Sequence, residues 1–172
     1  MNVVLVGYRA AGKSTLGRLV AERLGWPYLD IDRGIDEYSG KTIKALYEED
    51  GDTAYRDVES QVVAEMCAQD ERVIAFGAGS LIRKSNREHA RRGSLIFYLK
   101  VSPEVLWERI CADPGSEETR PKLSSGGLAE VVEMLAQRAP VYRECANEVL
   151  DGTQPPEQLA DRVAAALRGR YA

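Results

Sequence analysis

The chain has 172 residues with 23 basic and 27 acidic side chains, so its formal net charge is −4. This length suits one domain with a substantial core, and the acidic balance argues against a general nucleic-acid-binding protein. Three scattered cysteines and one histidine exclude a zinc site and a Ser-His-Asp triad, and they suit a reducing cytoplasm. No segment approaches the roughly 20 apolar residues of a membrane span. We therefore expect a cytoplasmic protein with no membrane partner.

Short apolar segments alternate with segments of helical periodicity along the chain. The predicted strands are 3–6, 28–29, 73–76, 95–99 and 148–150. The predicted helices are 13–24, 33–38, 42–49, 52–69, 86–92, 103–111, 128–145 and 156–168. This alternation predicts an α/β domain in which helices cover both faces of a parallel sheet. The polar segment between the sixth and seventh of these helices is too long for an ordinary connection, so it is either disordered or a mobile lid.

The first predicted strand is followed by Gly-Tyr-Arg-Ala-Ala-Gly-Lys-Ser-Thr at residues 7–15, which fills the phosphate-loop pattern G-x-x-x-x-G-K-[ST]. Such a loop turns its backbone N–H groups inward, and the dipole of the following helix favours negative charge. Lys13 can reach the outer phosphates, and Ser14 can offer its hydroxyl to Mg²⁺. The alternative is a glycine-rich turn that happens to precede a helix. The flanking strand and helix favour binding of a nucleoside triphosphate.

Two carboxylates, Asp30 and Asp32, come at the predicted end of the second strand. Ligands of open α/β folds sit at this edge of the sheet. Because alternate residues of a strand point to the same side, we expect both carboxylates to face one pocket. One could then lie near Mg²⁺ and the other near a nucleophilic hydroxyl. The alternative for Asp32 is a polar strand end that caps the next helix.

Several further positions are ambiguous by themselves. Arg56 lies near the start of a predicted helix, where a positive charge opposes the helix dipole, but it could simply form a surface pair with Glu59. The glycines of Gly77-Ala78-Gly79 could let a ligand approach the backbone or could form a plain turn. Arg120, in the polar segment, and Arg138, in the following helix, would each pass for solvated charges.

Together these motifs resemble the shikimate kinase family. The phosphate loop, the D-x-D pair, Y-R-x-x-E, the glycine turn, Arg120-Pro and Arg138-x-x-x-Tyr occur in the family's order and at its approximate spacing, over nearly the whole chain. The resemblance implies a nucleoside-monophosphate-kinase-like, three-layer fold with a five-stranded parallel sheet in the order 2-3-1-4-5 and a mobile lid. We expect a single kinase domain, 1–172, with a substrate-binding region at about 32–62 and the lid at about 112–127.

The resemblance also implies an activity, which is transfer of the ATP γ-phosphate to the 3-hydroxyl of shikimate with Mg²⁺ as the cofactor. The implied catalytic residues are Lys13, Asp32 and Arg120. The implied nucleotide-binding residues are Gly7, Ala10, Ala11, Gly12, Lys13, Ser14, Thr15, Arg109, Arg120 and Gln154. The implied substrate-binding residues are Asp32, Arg56, Gly77, Ala78, Gly79 and Arg138. The metal ion would be bound by Ser14, with Asp30 behind it through water.

By this resemblance, Lys13 would hold the β- and γ-phosphates, and Asp32 would orient or deprotonate the attacking hydroxyl. Arg56 and Arg138 would grip the substrate carboxylate, a role that suits a planar guanidinium. Arg120 would swing in with the lid, neutralise phosphate charge and exclude water. We expect the enzyme to act as a monomer on shikimate and ATP.

Two positions depart from the family's usual pattern. Ala10 stands where the family usually has glycine, and we expect it to be tolerated by keeping a negative φ. Ala78 interrupts what are usually three consecutive glycines, so its methyl group could crowd shikimate or mark a different hydroxy-acid substrate. The alternatives are therefore a related kinase acting on another hydroxy acid such as gluconate, and a nucleotide-binding homologue without transferase activity.

Overall fold

The computed structural model describes residues 1–113 and 126–171. Its strands are β1 (Asn2–Val6), β2 (Tyr28–Asp30), β3 (Val73–Ala75), β4 (Ser94–Lys100) and β5 (Glu148–Asp151). Its helices are α1 (Lys13–Leu24), α2 (Ile31–Ser39), α3 (Ile43–Cys67), α4 (Lys84–Arg91), α5 (Pro103–Ala112), α6 (Gly127–Cys145) and α7 (Pro156–Tyr171). Arg120 lies outside the described residues. The same is true of the expected lid, except for its first two residues and its last two residues.

The five strands form one parallel sheet in the order β2-β3-β1-β4-β5, which confirms the predicted topology. β1 is the central strand, and all five of its residues are buried. Val3 and Leu5 belong to a core cluster that includes apolar side chains of α1, α5 and α7. Val4 and Val6 belong to a second cluster formed chiefly with α2, α3 and α6. Because alternate residues of β1 enter opposite cores, its uniformly apolar sequence is typical of a strand covered on both faces.

The connection between β2 and α2 differs from the expectation. β2 ends at Asp30 and α2 begins at Ile31, so Asp32 lies in the first turn of a helix and is not a strand residue. Asp30 is the N-cap, and its Oδ1 accepts hydrogen bonds from the backbone N–H groups of Asp32 (2.9 Å) and Arg33 (3.3 Å). The capping role that we considered for Asp32 therefore belongs to Asp30, because an N-cap carboxylate satisfies the free N–H groups of a first turn.

Gly51 separates the two helices that the sequence predicts at 42–49 and 52–69. In the structure α3 covers most of both predicted helices, but it is interrupted at Gly51, whose φ of +91° is not helical. The first half begins at the N-cap Thr42, whose hydroxyl accepts a hydrogen bond from the N–H of Ala45 at 3.1 Å. The second half carries Arg56 near its start, as the sequence predicts.

Ala10 does not keep the negative φ that we expected, because its φ is +64°. The N–H of Ala11 donates to the carbonyl of Tyr8 at 3.2 Å, so Ala10 is the third residue of a tight turn. Turns of this kind with positive φ at the third position favour glycine there. An L-residue with a Cβ is strained in this conformation by about 1–2 kcal/mol.

We predict that Ala10→Gly stabilises the protein by about 0.5–1 kcal/mol, because the relief of strain exceeds the entropy that glycine adds to the unfolded chain. The measurement is the free energy of unfolding from urea titration followed by circular dichroism. The matched control is Ala11→Gly, because Ala11 is buried and does not have a positive φ; this variant should lose stability. A loss of stability in both variants would contradict strain at Ala10.

Candidate active site

A cleft of about 750 Å³ opens at the carboxyl edge of the sheet. Its walls come from the phosphate loop, the β2–α2 junction, the segment after β3, helix α5 and the connection between β5 and α7. The predicted site residues among its lining residues are Ala10, Ala11, Gly12, Lys13, Ser14, Thr15, Asp30, Asp32, Ala78 and Arg109. The structure thus brings the phosphate loop, both aspartates and the interrupted glycine turn to one cavity.

The phosphate loop is closely packed against β4 at its start. A Cβ at Gly7 would lie 2.9 Å from the carbonyl oxygen of Leu99, so no larger residue fits there. Lys13 Nζ donates to the carbonyl oxygens of Gly7 and Tyr8, each at 2.8 Å. Within the described part of the chain, no side chain caps α1, whose N-cap is Gly12. The positive end of the helix dipole can therefore favour an anion in the cleft.

Ser14 and Asp30 place two side-chain oxygens next to each other beside this loop. Ser14 Oγ donates to Asp30 Oδ2 at 3.4 Å, and both residues line the cleft. Hydroxyl and carboxylate oxygens are the ligands that Mg²⁺ prefers, and this ion commonly takes only one or two protein ligands when a nucleotide supplies the others. Among the described residues, no cluster of three or more His, Cys, Asp or Glu side chains could hold a metal by itself. The pair therefore fits a magnesium ion that binds together with phosphates.

Asp32 reaches the cleft from the first turn of α2 and lies against Gly77. A Cβ at Gly77 would be 2.6 Å from Asp32 Oδ1 and 2.9 Å from Ser80 Oγ. A larger residue at this position would have to displace two side chains of the protein itself, which favours glycine. This reason is neither of the two that the sequence suggested, which were the approach of a ligand and a plain turn.

Arg56 is not the surface charge that we considered as an alternative. Its side chain is only 15% exposed, and that of its partner Glu59 is only 1% exposed. Arg56 Nη1 donates to Glu59 Oε1 at 2.7 Å and to the carbonyl oxygen of Gly79 at 3.2 Å. Burial lowers the pKa of Arg56, but the charge of Glu59, its hydrogen bond and the nearby Tyr55 and Asp52 together outweigh burial and leave the pKa above its ordinary value. A Cβ at Gly79 would lie 2.8 Å from both terminal nitrogens of the guanidinium, so a larger residue here would displace Arg56 from its position beside Glu59.

Glu59 is the centre of this network, although sequence reasoning gave it no role beyond a partner for Arg56. Its Oε2 accepts hydrogen bonds from Ser80 Oγ at 2.9 Å and from the hydroxyl of Tyr55 at 3.4 Å. A buried carboxylate is tolerated only where it is paired and hydrogen-bonded. The only sequence signal for it is the spacing of three residues from Arg56, which places the two side chains on one helix face.

Two side chains of helix α6 contact the glycine turn and the phosphate loop. The hydroxyl of the buried Tyr142 donates to the carbonyl oxygen of Ala78. Arg138 lies one helical turn earlier, and its guanidinium carbon is 5.9 Å from the centre of the Tyr8 ring. Burial raises the pKa of both tyrosines, and Arg138 opposes the rise in each case. The Arg-x-x-x-Tyr spacing therefore places Arg138 between Tyr142 and the loop.

Arg109 forms hydrogen bonds to two walls of the cleft. Its Nη1 donates to the carbonyl oxygens of Ala10 and Ala11, each at 3.2 Å, and its Nη2 donates to that of Gly152 at 3.1 Å. In this arrangement Arg109 lines the cleft and holds the phosphate loop to the segment after β5. Gln154 is exposed and is not among the described lining residues of the cleft, although Gly152 is.

Arg9 is a residue of the cleft that sequence reasoning missed. Its side chain belongs to the phosphate loop, is 9% exposed and lines the cavity. Its positive charge lowers the pKa of the neighbouring Tyr8, against the larger effect of burial. A basic residue inside a phosphate-loop motif was the available signal. It passed unnoticed because the motif leaves that position unspecified.

Comparison with known proteins agrees with this geometry. The family model described as "Shikimate kinase" matches residues 9–168. A shikimate kinase of Oleidesulfovibrio alaskensis is 36% identical over 163 residues, which is 94% of each chain. A shikimate kinase of Pseudomonas syringae pv. syringae is 38% identical over 159 residues, covering 92% of this chain and 90% of the relative.

Solved structures show the same fold. The shikimate kinase of Acinetobacter baumannii in complex with shikimate superposes with a TM-score of 0.90 at 30% identity, covering 98% of this chain and 93% of the other. A gluconokinase of Sinorhizobium meliloti shares the fold alone, with a TM-score of 0.61 at 20% identity over 99% of this chain and 97% of the other. In the described residues, no helix is long and apolar enough to cross a membrane. The chain belongs to the shikimate kinase family.

Proposed function

We propose that this protein transfers the γ-phosphate of ATP to the 3-hydroxyl of shikimate and so produces shikimate 3-phosphate. As a member of the family it is an ATP-dependent kinase. The observation that carries the proposal is the cleft in which Lys13 of the phosphate loop and Asp32 of α2 are lining residues together. A phosphate donor and a hydroxyl acceptor can meet in a cavity of this composition.

The phosphate loop would bind the outer phosphates of ATP. Lys13 would move its ammonium from the loop carbonyls to the phosphates, where it would neutralise the charge that develops on the transferred group. Ser14 would ligate Mg²⁺, with Asp30 behind it through water. The bound ion would supply positive charge at the β- and γ-phosphate oxygens.

Asp32 would act on the acceptor. Its carboxylate would accept a hydrogen bond from the 3-hydroxyl and so orient the oxygen toward the γ-phosphorus. As the new O–P bond forms, the bond between the γ-phosphorus and the bridging oxygen breaks, ADP leaves, and Asp32 can take the hydroxyl proton. The close contact of its Oδ1 with Gly77 restricts the positions that the carboxylate can adopt.

Arg56 and Arg138 would bind the carboxylate of the acid. Glu59 and the Gly79 carbonyl hold the Arg56 guanidinium in place, which lowers the entropy lost when a ligand binds to it. The Gly77–Gly79 turn, including Ala78, would border the ring of the substrate. We propose that Arg120 closes over the phosphates with a lid at about 112–127, and that 32–62 forms the substrate-binding region of a single domain.

We propose that Arg109 supports nucleotide binding by holding the loops in position and not by contacting adenine directly. Its three hydrogen bonds to loop carbonyls favour a role in holding the nucleotide-binding loops in position. Gln154 remains our proposed adenine contact. We also propose that the enzyme acts as a monomer. We propose that it lies in the cytoplasm, because Cys67, Cys111 and Cys145 are all free thiols, as is typical of a reducing compartment.

A coupled assay of ADP release tests the proposed substrate directly. We expect ATP turnover that depends on shikimate and on Mg²⁺, and little turnover with gluconate, which lacks the cyclohexene ring that the glycine turn would border. Turnover with gluconate alone would favour the hydroxy-acid alternative that the methyl group of Ala78 suggests. Binding of ATP without turnover on either acid would favour a non-catalytic homologue.

Asp32→Asn should lower kcat by about 10²–10⁴-fold, because an amide cannot take the hydroxyl proton. The KM for ATP should stay close to that of the wild type, and steady-state kinetics with shikimate would measure both. The control is Glu37→Gln on the same helix, because the Glu37 side chain is 66% exposed. A collapse of ATP affinity with kcat preserved would instead assign Asp32 to the metal.

Arg56→Lys and Arg138→Lys should each raise the KM for shikimate by about 10–100-fold, which corresponds to about 1.5–3 kcal/mol for a charged hydrogen bond left unmade. Lysine keeps the charge but lacks the planar fork. The KM for ATP should change little. Arg33→Lys is the control, because the Arg33 side chain is 80% exposed. An unaltered response to shikimate in both test variants would show that these arginines do not bind the acid.

A further inference from the structure

Tyr28, the first residue of β2, is held in place by helix α1. Its ring packs on Gly17, where a Cβ would lie only 2.5 Å from Tyr28 Cε2 and 2.9 Å from Cδ2. The guanidinium carbon of Arg18 lies 5.4 Å from the ring centre. Glycine at position 17 thus lets an aromatic ring approach the helix that begins at the phosphate loop. The packing points the end of the ring toward the first turn of that helix, where Ser14 lies.

The hydroxyl of Tyr28 reaches the oxygen that Ser14 also uses. It donates to Asp30 Oδ2 at 3.1 Å, and Ser14 Oγ donates to the same oxygen at 3.4 Å. A phenol is protonated at neutral pH, so the Tyr28 hydroxyl is a hydrogen-bond donor to this oxygen.

The two oxygens of Asp30 are held by different groups. Oδ1 accepts the backbone N–H groups of Asp32 and Arg33 at the start of α2, which fixes one end of the carboxylate. Oδ2 faces the cleft side of the junction, where it accepts from the two hydroxyls. With Oδ1 held by the helix, the carboxylate can still rotate about that end. The Tyr28 hydroxyl limits this rotation.

We propose that Tyr28 is a positioning residue for the metal-binding pair Ser14 and Asp30. A serine that ligates Mg²⁺ offers an oxygen lone pair, so its O–H must point to another acceptor, and Asp30 Oδ2 accepts that hydrogen bond. Tyr28 holds Oδ2 where it can accept from Ser14, which leaves the lone pairs of Ser14 available to the ion. The inference rests on the proposed function, because it takes Ser14 and Asp30 as the magnesium site.

The test is Tyr28→Phe, which keeps the ring on Gly17 and removes only the hydroxyl. The readout is binding of ADP measured by calorimetry, first in EDTA and then over a series of Mg²⁺ concentrations, so that no turnover is involved. We expect the Mg²⁺ concentration for half-maximal enhancement of ADP binding to rise about tenfold or more, as is typical when a partner of a metal ligand is removed. The affinity for ADP in EDTA should stay within about twofold.

Two control variants separate the hydroxyl from the packing of the ring. Arg18→Ala removes the cation over the ring but keeps the hydroxyl, and Tyr38→Phe removes the hydroxyl of a tyrosine that is 55% exposed. Both should keep the Mg²⁺ dependence of the wild type. Thermal unfolding of every variant by circular dichroism checks the fold. A shift with Arg18→Ala as large as that with Tyr28→Phe would overturn the proposal, because ring packing would then explain the effect.

Ser14→Ala distinguishes the remaining outcomes. If Ser14→Ala shifts the Mg²⁺ dependence and Tyr28→Phe does not, the magnesium site stands and Tyr28 is a packing residue only, so the inference is wrong. If neither variant shifts it, the magnesium site itself is misassigned, and the inference falls together with that part of the proposed function. A shift in both variants, with both controls unchanged, supports the inference.

Discussion

The buried carboxylate of Glu59 organises the substrate side of this protein. An unpaired charge at this depth would be strongly destabilising. Arg56, Tyr55 and Ser80 contact this carboxylate, and Arg56 in turn donates to the Gly79 carbonyl. These contacts join the second half of α3 to the turn after β3. The same contacts hold the guanidinium that we propose to bind the substrate acid. Stability and the proposed binding of the substrate acid thus depend on one ion pair.

The nucleotide side depends chiefly on the backbone geometry of the phosphate loop, which also carries the buried side chain of Arg9. The loop after β1 is closely packed at Gly7 and has positive φ at Ala10 and Gly12. Lys13 and Arg109 satisfy four of its carbonyl oxygens between them. These two cations differ in the parts of the chain that they contact. Lys13 contacts carbonyls of its own loop and lines the cleft, whereas Arg109 also joins the loop to Gly152, which favours a supporting role.

The glycine turn after β3 lies where the two sides meet. The Asp32 side chain approaches Gly77, and the Arg56 side chain approaches Gly79. The hydroxyl of Tyr142 donates a hydrogen bond to the carbonyl of Ala78. Each of these three side chains comes from a different helix, so the turn is a common point for α2, α3 and α6. The preference for glycine at its two ends follows from the protein's own contacts. The middle position makes no such demand, which explains physically how an alanine can stand between the two glycines.

The sequence by itself determined the elements and the loop that binds phosphate. Strands buried on both faces and amphipathic helices have periodicities that are visible locally, and the phosphate loop joins contiguous residues, so the sheet order and the first wall of the site followed from local patterns and their resemblance to a family. Only the tertiary structure decided which acid caps α2, that Glu59 is buried, and that the glycines face Asp32 and Arg56. It also decided that Arg109 supports the loop and that Ala10 has a positive φ. The network around Glu59, the packing of the glycines and the contacts of Arg109 depend on residues far apart in the chain. The cap at Asp30 and the φ of Ala10 are local, but they depend on where β2 ends and on how the loop turns, and none of these features leaves a periodic trace in the sequence.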